Sequence, residues 1–348
     1  MMPSSPKCSV VIASYNYERY LPQAIESALG QDYPNVEVVV VDDGSTDGSP
    51  RVLERYAHRI TAVRKANGGE ASSRNVGFEH STGDVVIFLD SDDYLFPDAA
   101  SRIIEKFEPG VAKVHYPLVV VDAEGQSTGQ IMADRLPSGD MGPLLRKFGF
   151  YPSPPTSGNA YSRAALNRIM PMPECVFARR SDTYEIIMSA LHGEVRAMQE
   201  PCAAWRRHNY NMSKYDVDGL WTDIRRDMAA VELMNSFLAR QGSADAAIVA
   251  GWPQHLRQRL TATKFRPDER MSHDDTVASL LRRYLHVIWQ WPAYSTTKRI
   301  AATGWALMFA ALPASLVRTT GADAARLTSF IYPLIGRSSP RIEHRRSP

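Results

Sequence analysis

The sequence has little cysteine, little net charge and no long, strongly apolar run, and each shortage removes a class of protein. Three cysteines, Cys8, Cys175 and Cys202, stand among 348 residues. They are too few and too scattered for a disulfide framework or a thiolate zinc site. Such sparing use fits a reducing, cytoplasmic compartment. Lys and Arg number 40 against 38 Asp and Glu, a net charge of +2. No field for holding a polyanion follows from that balance, so no nucleic-acid partner is expected. No export signal is expected at the N-terminus either. The apolar run Cys8–Ala13 is short and gives way at once to Ser14-Tyr15-Asn16, as a first buried strand does.

What is present is globular in composition, with 44% hydrophobic and 22% charged residues. The length suits one large α/β domain plus an appendage. Strands are expected at Cys8–Ala13, Val36–Val41, Ile60–Arg64 and Val85–Leu89. Val38-Val39-Val40-Val41 and Val85-Val86-Ile87-Phe88-Leu89 are apolar on both faces, as in a buried parallel sheet. Helices are expected between them at Leu21–Leu29, Ser49–Tyr56, Ala71–His80 and Pro97–Phe107. In the first, Leu21, Ile25, Ala28 and Leu29 form one apolar stripe. Alternation of this kind predicts right-handed crossovers and a doubly wound, mostly parallel sheet. A further strand is expected at Val114–Val121, then a Pro- and Gly-rich crossing over 137–157, then a second αβ portion. From Lys214 onward the pattern is mainly helical. The last residues, with Arg337, Arg341, Arg345 and Arg346, read as a disordered basic tail.

Ligands of an open parallel sheet bind beyond the carboxyl ends of its strands. Here the first strand runs into Ala13-Ser14-Tyr15-Asn16, the second into Asp42-Asp43-Gly44-Ser45 and the fourth into Asp90-Ser91-Asp92-Asp93. Crowded carboxylates repel unless a cation or hydrogen-bond donors neutralise them. Hard oxygen ligands suit Mg2+ or Mn2+, which also bridge phosphate oxygens. Asp93 taken alone reads first as an N-cap for the helix opening near Pro97, but the whole constellation exceeds what a cap explains. The spacing of Asp43, Ser45, Asp47, Gly48 and Glu54 imitates a calcium loop. A β-branched strand in front of it and Pro50 within it argue against that reading; Asp47 and Ser49 are better explained as caps.

Taken in order, Ser9-Val10-Val11-Ile12-Ala13-Ser14-Tyr15-Asn16, Val41-Asp42-Asp43-Gly44-Ser45-Thr46-Asp47, Asn67-Gly68-Gly69 with Arg74-Asn75-Val76-Gly77, Gly83-Asp84 and Phe88-Leu89-Asp90-Ser91-Asp92-Asp93 closely resemble the family 2 glycosyltransferases of GT-A fold. The match is collinear over about the first 100 residues. The resemblance implies a Rossmann-like, mostly parallel sheet with a mainly helical C-terminal extension. It implies a catalytic domain over 1–213, with a nucleotide-sugar-binding half at 1–110 and an acceptor half at 111–213. A helical region over 214–335 and the tail 336–348 complete the division. It places Ala13, Ser14 and Tyr15 against the nucleoside, Asp43 on the pyrimidine edge and Arg74 over base or phosphate. Asp90 and Ser91 would face ribose and donor sugar, and Asp92 would bind Mn2+ or Mg2+. The second half matches more loosely. Ser157-Gly158-Asn159 and Arg163 resemble the segment before the acceptor site. The family's acidic pair reads Ser181-Asp182, its first acid missing and Asp182 the implied base, although Asp182 could instead cap a helix. Trp205-Arg206-Arg207-His208, with Asn211 and Ser213, offers His208 as a metal or diphosphate ligand, or else as a packed histidine.

The implied reaction is inverting transfer from a nucleotide-diphosphate sugar, UDP-sugar first, to a saccharide or lipid-linked acceptor. A role in polysaccharide or cell-envelope assembly goes with it. Two rivals remain. A non-catalytic nucleotide- or saccharide-binding protein could retain the fold. A nucleotidyltransferase would need a Gly-rich, basic phosphate loop, and Ser14-Tyr15-Asn16-Tyr17-Glu18 is not one. Ile300–Val317 carries no charge and follows Trp289, Trp291 and Tyr294. It leaves three readings open: a buried helix, a helix lying on a membrane surface, or a span. The expected location is cytoplasmic, with peripheral attachment to the inner face of the membrane if the second reading holds.

Overall fold

The computed structural model describes residues 5–208, 217–242 and 247–314. Strands β1 (Cys8–Ser14), β2 (Val36–Asp42), β3 (Thr61–Arg64) and β4 (Val85–Asp90) alternate with helices α1 (Leu21–Leu29), α2 (Ser49–Tyr56) and α3 (Glu70–Glu79). There follow β5 (Tyr94–Leu95), α4 (Ala99–Ile104), β6 (Val111–His115), β7 (Leu118–Val121), β8 (Ser127–Met132) and α5 (Gly142–Phe148). The next stretch holds β9 (Asn159–Ser162), α6 (Arg163–Ile169), α7 (Glu174–Phe177), α8 (Asp182–Ser189), β10 (Glu194–Ala197) and β11 (Ala203–Arg206). The helices α9 (Val217–Arg240), α10 (Pro253–Phe265), α11 (Val277–Gln290) and α12 (Thr296–Ala311) come last.

The large sheet has the order β10-β6-β9-β4-β1-β2-β3. Its strands are parallel except β9, which runs against both β4 and β6. The expected fold class is therefore the one observed. Both faces are covered, which is why the strands read as unbroken apolar runs. Val10, Ile12, Val38, Val40, Ile87 and Leu89 share one core with α1, α2 and α4. On the other face α3 lies so close to β1 that a Cβ on Gly77 would come within 2.3 Å of Val11 Cγ1. Glycine is needed there for close packing.

A smaller sheet, β5-β11-β7-β8, lies beside the acidic run because β5 starts one residue after Asp93. The single strand expected over Val114–Val121 is in fact two strands in two sheets. The chain changes sheet at Tyr116-Pro117, where proline has no N–H to continue a ladder. Tyr116 N instead bonds Gly158 O at 3.0 Å.

The chain divides into two units, Met1–Asn209 with Met228–Val249, and Tyr210–Asp227 with Ala250–Pro348. The second has its own core of Leu256, Leu260, Leu280, Tyr284, Ile288, Trp305, Ala306 and Phe309. Trp305 stacks on Phe309 with centroids 5.0 Å apart, and Arg259 grips the buried Asp275 carboxylate with two nitrogens. Helix α12 buries one side in this core, while Ile300, Leu307 and Met308 stay exposed. Among the described residues no helix is long and apolar enough to cross a membrane. Residues 315–317 of the uncharged stretch, the basic tail, Asn211 and Ser213 all lie outside the described residues.

Candidate functional site

Register brings the strand ends into line. Ala13 pairs with Asp90, and Ser14 pairs with Asp42. After Ser14 the chain turns through Asn16, a non-glycine residue at φ 58°. That turn is stitched to the second strand end, since Asn16 N donates to Ser45 Oγ at 2.9 Å and Asn16 Oδ1 accepts from Thr46 N at 2.8 Å. Tyr15 is left 45% exposed on the edge. Ser14 is buried, and its hydroxyl has no hydrogen-bond partner among the described residues.

The Asp42-Asp43 pair faces inward. Asp43 accepts from Lys65 Nζ at 2.6 Å, Gly68 N at 2.9 Å and Gly69 N at 2.7 Å. This carboxylate, expected on the base edge, has both oxygens engaged in holding the Gly68-Gly69 turn. The calcium-loop pattern dissolves at the same point. Asp47 is spent on Glu18 N and Ser49 N, the latter at the start of α2.

The acidic run is more telling. Asp90 N donates to Ser157 Oγ at 3.1 Å, and that hydroxyl donates in turn to Asp93 Oδ2 at 2.6 Å. Asp93 Oδ1 accepts from Arg206 N at 2.8 Å, so Asp93 ties the two sheets together and caps no helix. Burial, with Asp92 and Asp90 beside it, pushes the Asp93 carboxyl well above the usual range. Asp90 is raised as well, by desolvation at the same crowded strand end and against the pull of Arg74. Asp92 Oδ2 meets His208 Nε2 at 2.9 Å. His208 stacks on Tyr20 with centroids 4.9 Å apart, and Arg206 Nε holds Asp92 O at 2.8 Å. A hard oxygen and an imidazole nitrogen thus converge where a divalent cation would relieve the crowding. Among the described residues no three His, Cys, Asp or Glu side chains form a ready-made metal cluster. A cation here would have to complete its shell with substrate oxygens and water.

Arg74, expected over base or phosphate, lies beneath this edge and only 2% exposed. Its guanidinium bonds Glu185 Oε2 at 2.9 Å, Thr156 Oγ1 at 2.7 Å and Asp90 Oδ1 at 3.4 Å. These three groups, with Glu70 at 3.9 Å, converge on one buried cation and explain its inward pose. Asp182 is the first residue of α8, and Ser181 occupies the N-cap position without a side-chain cap bond. Asp182 Oδ1 accepts only from the adjoining Thr183 N among the bonds described, at 3.0 Å. Arg163 sits at the other end of β4, bonded to Asp84 O through its backbone and to Gly83 O and Ser81 Oγ through its side chain. It takes no part in the acidic edge. The residues that sequence reasoning missed are Glu70, Thr156 and Glu185. Of these only Glu185 left a trace, as the one charged residue in the run Tyr184–Leu191.

The model of Glycosyl transferase family 2 matches residues 9–169. An uncharacterized glycosyltransferase of Nostoc sp. is 33% identical over 239 residues, covering 67% of this chain and 74% of that protein. The chain belongs to glycosyl transferase family 2. As a member it is a glycosyltransferase, and the expected GT-A architecture is the one seen. Poly(ribitol-phosphate) beta-N-acetylglucosaminyltransferase TarS of Staphylococcus aureus is 38% identical over 109 residues, but these are 28% of this chain and 19% of TarS. The crystal structure of TarS in complex with UDP-GlcNAc covers 87% of each chain at a TM-score of 0.50 and 19% identity. At that identity the likeness is one of fold.

Proposed function

We propose that this family 2 glycosyltransferase is an inverting enzyme that moves a sugar from a nucleotide diphosphate, UDP first, to a hydroxyl of a saccharide or lipid-linked acceptor. The observation that carries the proposal is the Asp92–His208 pair, 2.9 Å apart at the carboxyl edge of the parallel strands and next to Asp90. These two residues would hold Mn2+ or Mg2+. When bound, the ion supplies positive charge against the departing diphosphate. The chain's own residues do the rest. Ala13, Ser14 and Tyr15 form a corner for the nucleoside, with the exposed Tyr15 ring against the base. Asp43 supports that corner through the Gly68-Gly69 turn. Asp90 and Ser91 face ribose and donor sugar, and Arg74 sets the charge beneath them. Asp182, at the start of α8, takes the proton of the acceptor's hydroxyl on a carboxylate oxygen as the hydroxyl oxygen attacks the anomeric carbon and the bond from that carbon to the diphosphate breaks. TarS, which transfers N-acetylglucosamine to poly(ribitol phosphate) and is seen with UDP-GlcNAc, makes cell-envelope polymers the first acceptors to try. The exposed Ile300, Leu307 and Met308 on α12, with Lys298 and Arg299 at its start, support a membrane surface as the place of work.

Calorimetric titration of UDP, GDP and TDP, with and without Mn2+, tests this reading. One nucleotide should bind in a Mn2+-dependent way. Asp92→Ala should weaken that binding by at least the roughly 10–100-fold that even an outer partner of a metal ligand is worth. Absence of nucleotide binding under every condition would overturn the metal-dependent nucleotide-sugar site proposed here.

A further inference from the structure

One helix grips the residues on both sides of Asp182. Glu70, the first residue of α3, accepts from Ser181 N at 3.0 Å and from the Ser181 hydroxyl at 3.4 Å. Arg74, one turn along α3, donates to Glu185 Oε2 at 2.9 Å. Glu70 and Arg74 are an i,i+4 pair on one helical face. Through them α3 holds α8 immediately before Asp182 and one turn after it. The same guanidinium reaches Asp90 Oδ1 at 3.4 Å. The helix that carries Asp182 and the strand end that carries Asp90 therefore share one cation.

Stability alone does not account for this arrangement. Arg74 and Glu185 are both buried, and a buried ion pair seldom stabilises more than apolar side chains of the same volume. Glu185 Oε1 and the hydroxyl of nearby Tyr161 have no hydrogen-bond partner among the described residues. Lys113, close enough to feel both Asp182 and Glu185, is fully buried as well. Such costs are retained where a charged geometry is needed for its own sake. The residue before Asp182 is moreover Ser181, where the family pattern carries an acid. The carboxylates flanking Asp182 are brought in from Glu70 and Glu185 instead.

We propose that Glu185, held by Arg74 and seconded by Glu70, is a positioning residue for Asp182. It fixes the start of α8 so that the Asp182 carboxylate is aimed at the acceptor oxygen, and it keeps that aim in register with Asp90. The inference rests on Asp182 being the base proposed above.

The test uses the full chain with Mn2+. Its probes are UDP and whichever of UDP-glucose, UDP-galactose and UDP-N-acetylglucosamine the wild type hydrolyses with water as acceptor. Glu185→Gln keeps the shape and removes the charge. Glu70→Gln, on a partly exposed residue, loosens the other grip without opening a void. Both variants should bind UDP within about twofold of wild type and melt no lower at pH 8. Hydrolysis at saturating donor should nevertheless fall on the order of 10²-fold for Glu185→Gln, the loss that about 1 Å of misplacement brings, and less for Glu70→Gln. Donor KM should stay nearly constant, which a merely structural defect would not leave untouched. Wild-type hydrolysis in both variants would overturn the inference, as would a loss of rate that only tracks a loss of folding. Asp182→Asn separates the two claims. If it is inactive while both Gln variants are fully active, the base stands and the positioning role falls. If Asp182→Asn hydrolyses at the wild-type rate, the base reading falls and the inference with it.

Discussion

Glu185 should make the stability of unit 1 depend on pH in a direction opposite to that of ordinary paired carboxylates. Burial raises its carboxyl from the ordinary 4.5 to about 7, because desolvation outweighs the attraction of Arg74 and Asp182 adds repulsion. The folded chain thus binds this proton more tightly than the unfolded chain does. The resulting stabilisation is complete below about pH 4.5 and is lost as pH rises through about 7. At about 1.4 kcal/mol per pH unit, that interval amounts to roughly 3 kcal/mol. Other groups titrate in the opposite sense. Glu37, held near 2 by Lys7, Ser9 and Thr82 against its own desolvation, contributes stability that is lost as pH falls. The informative quantity is therefore the difference between Glu185→Gln, which cannot titrate, and wild type. Differential scanning calorimetry between pH 5 and 8 should show the variant gaining on wild type as pH rises, by about 1.4 kcal/mol per unit until the curve flattens above 7. A flat difference, or one that falls with pH, would refute the claim that burial governs this carboxyl. A variant that is more stable at pH 8 yet slower in hydrolysis would show the site trading stability for geometry.

Other outcomes follow from the same contacts. Gly77→Val should destabilise unit 1 by about 1–3 kcal/mol or more, read as a lower melting temperature, because its Cβ would meet Val11 Cγ1 at 2.3 Å. His208→Ala should remove most of the Mn2+-dependent part of UDP binding while leaving the Mn2+-free part in place; equal loss of both would make His208 a packing residue against Tyr20. The double variant Ile300→Asp, Leu307→Asp should abolish co-sedimentation with phosphatidylglycerol vesicles without lowering the melting temperature, since both side chains are exposed. If the wild type does not sediment with such vesicles, the membrane surface is removed from the proposal.

Helices α1 and α2 span Leu21–Leu29 and Ser49–Tyr56, the ranges expected of them. Strands β1, β2 and β4 each run one residue past the expected end, into Ser14, Asp42 and Asp90. Those polar residues still pair in register before the chain turns. The expectations that failed turned on distant partners. Val114–Val121 looks continuous, but Pro117 sends its two halves to different sheets. β8 is polar and mostly exposed, so its period carried no signal. Asp93 reads as a cap until Ser157 and Arg206 claim it.

By itself the sequence determined the alternating βα order, the apolar faces of the sheet and the acids at its carboxyl edge. All of these rest on local period and on chemistry carried by neighbouring residues. Only the tertiary structure decided that His208 meets Asp92 across 116 positions. It also decided that Arg74 turns inward to Glu185 across 111 positions and that α3 grips α8 on both sides of Asp182. Contacts of that span are set by register, crossover and the burial of charge, and no local pattern of residues encodes them.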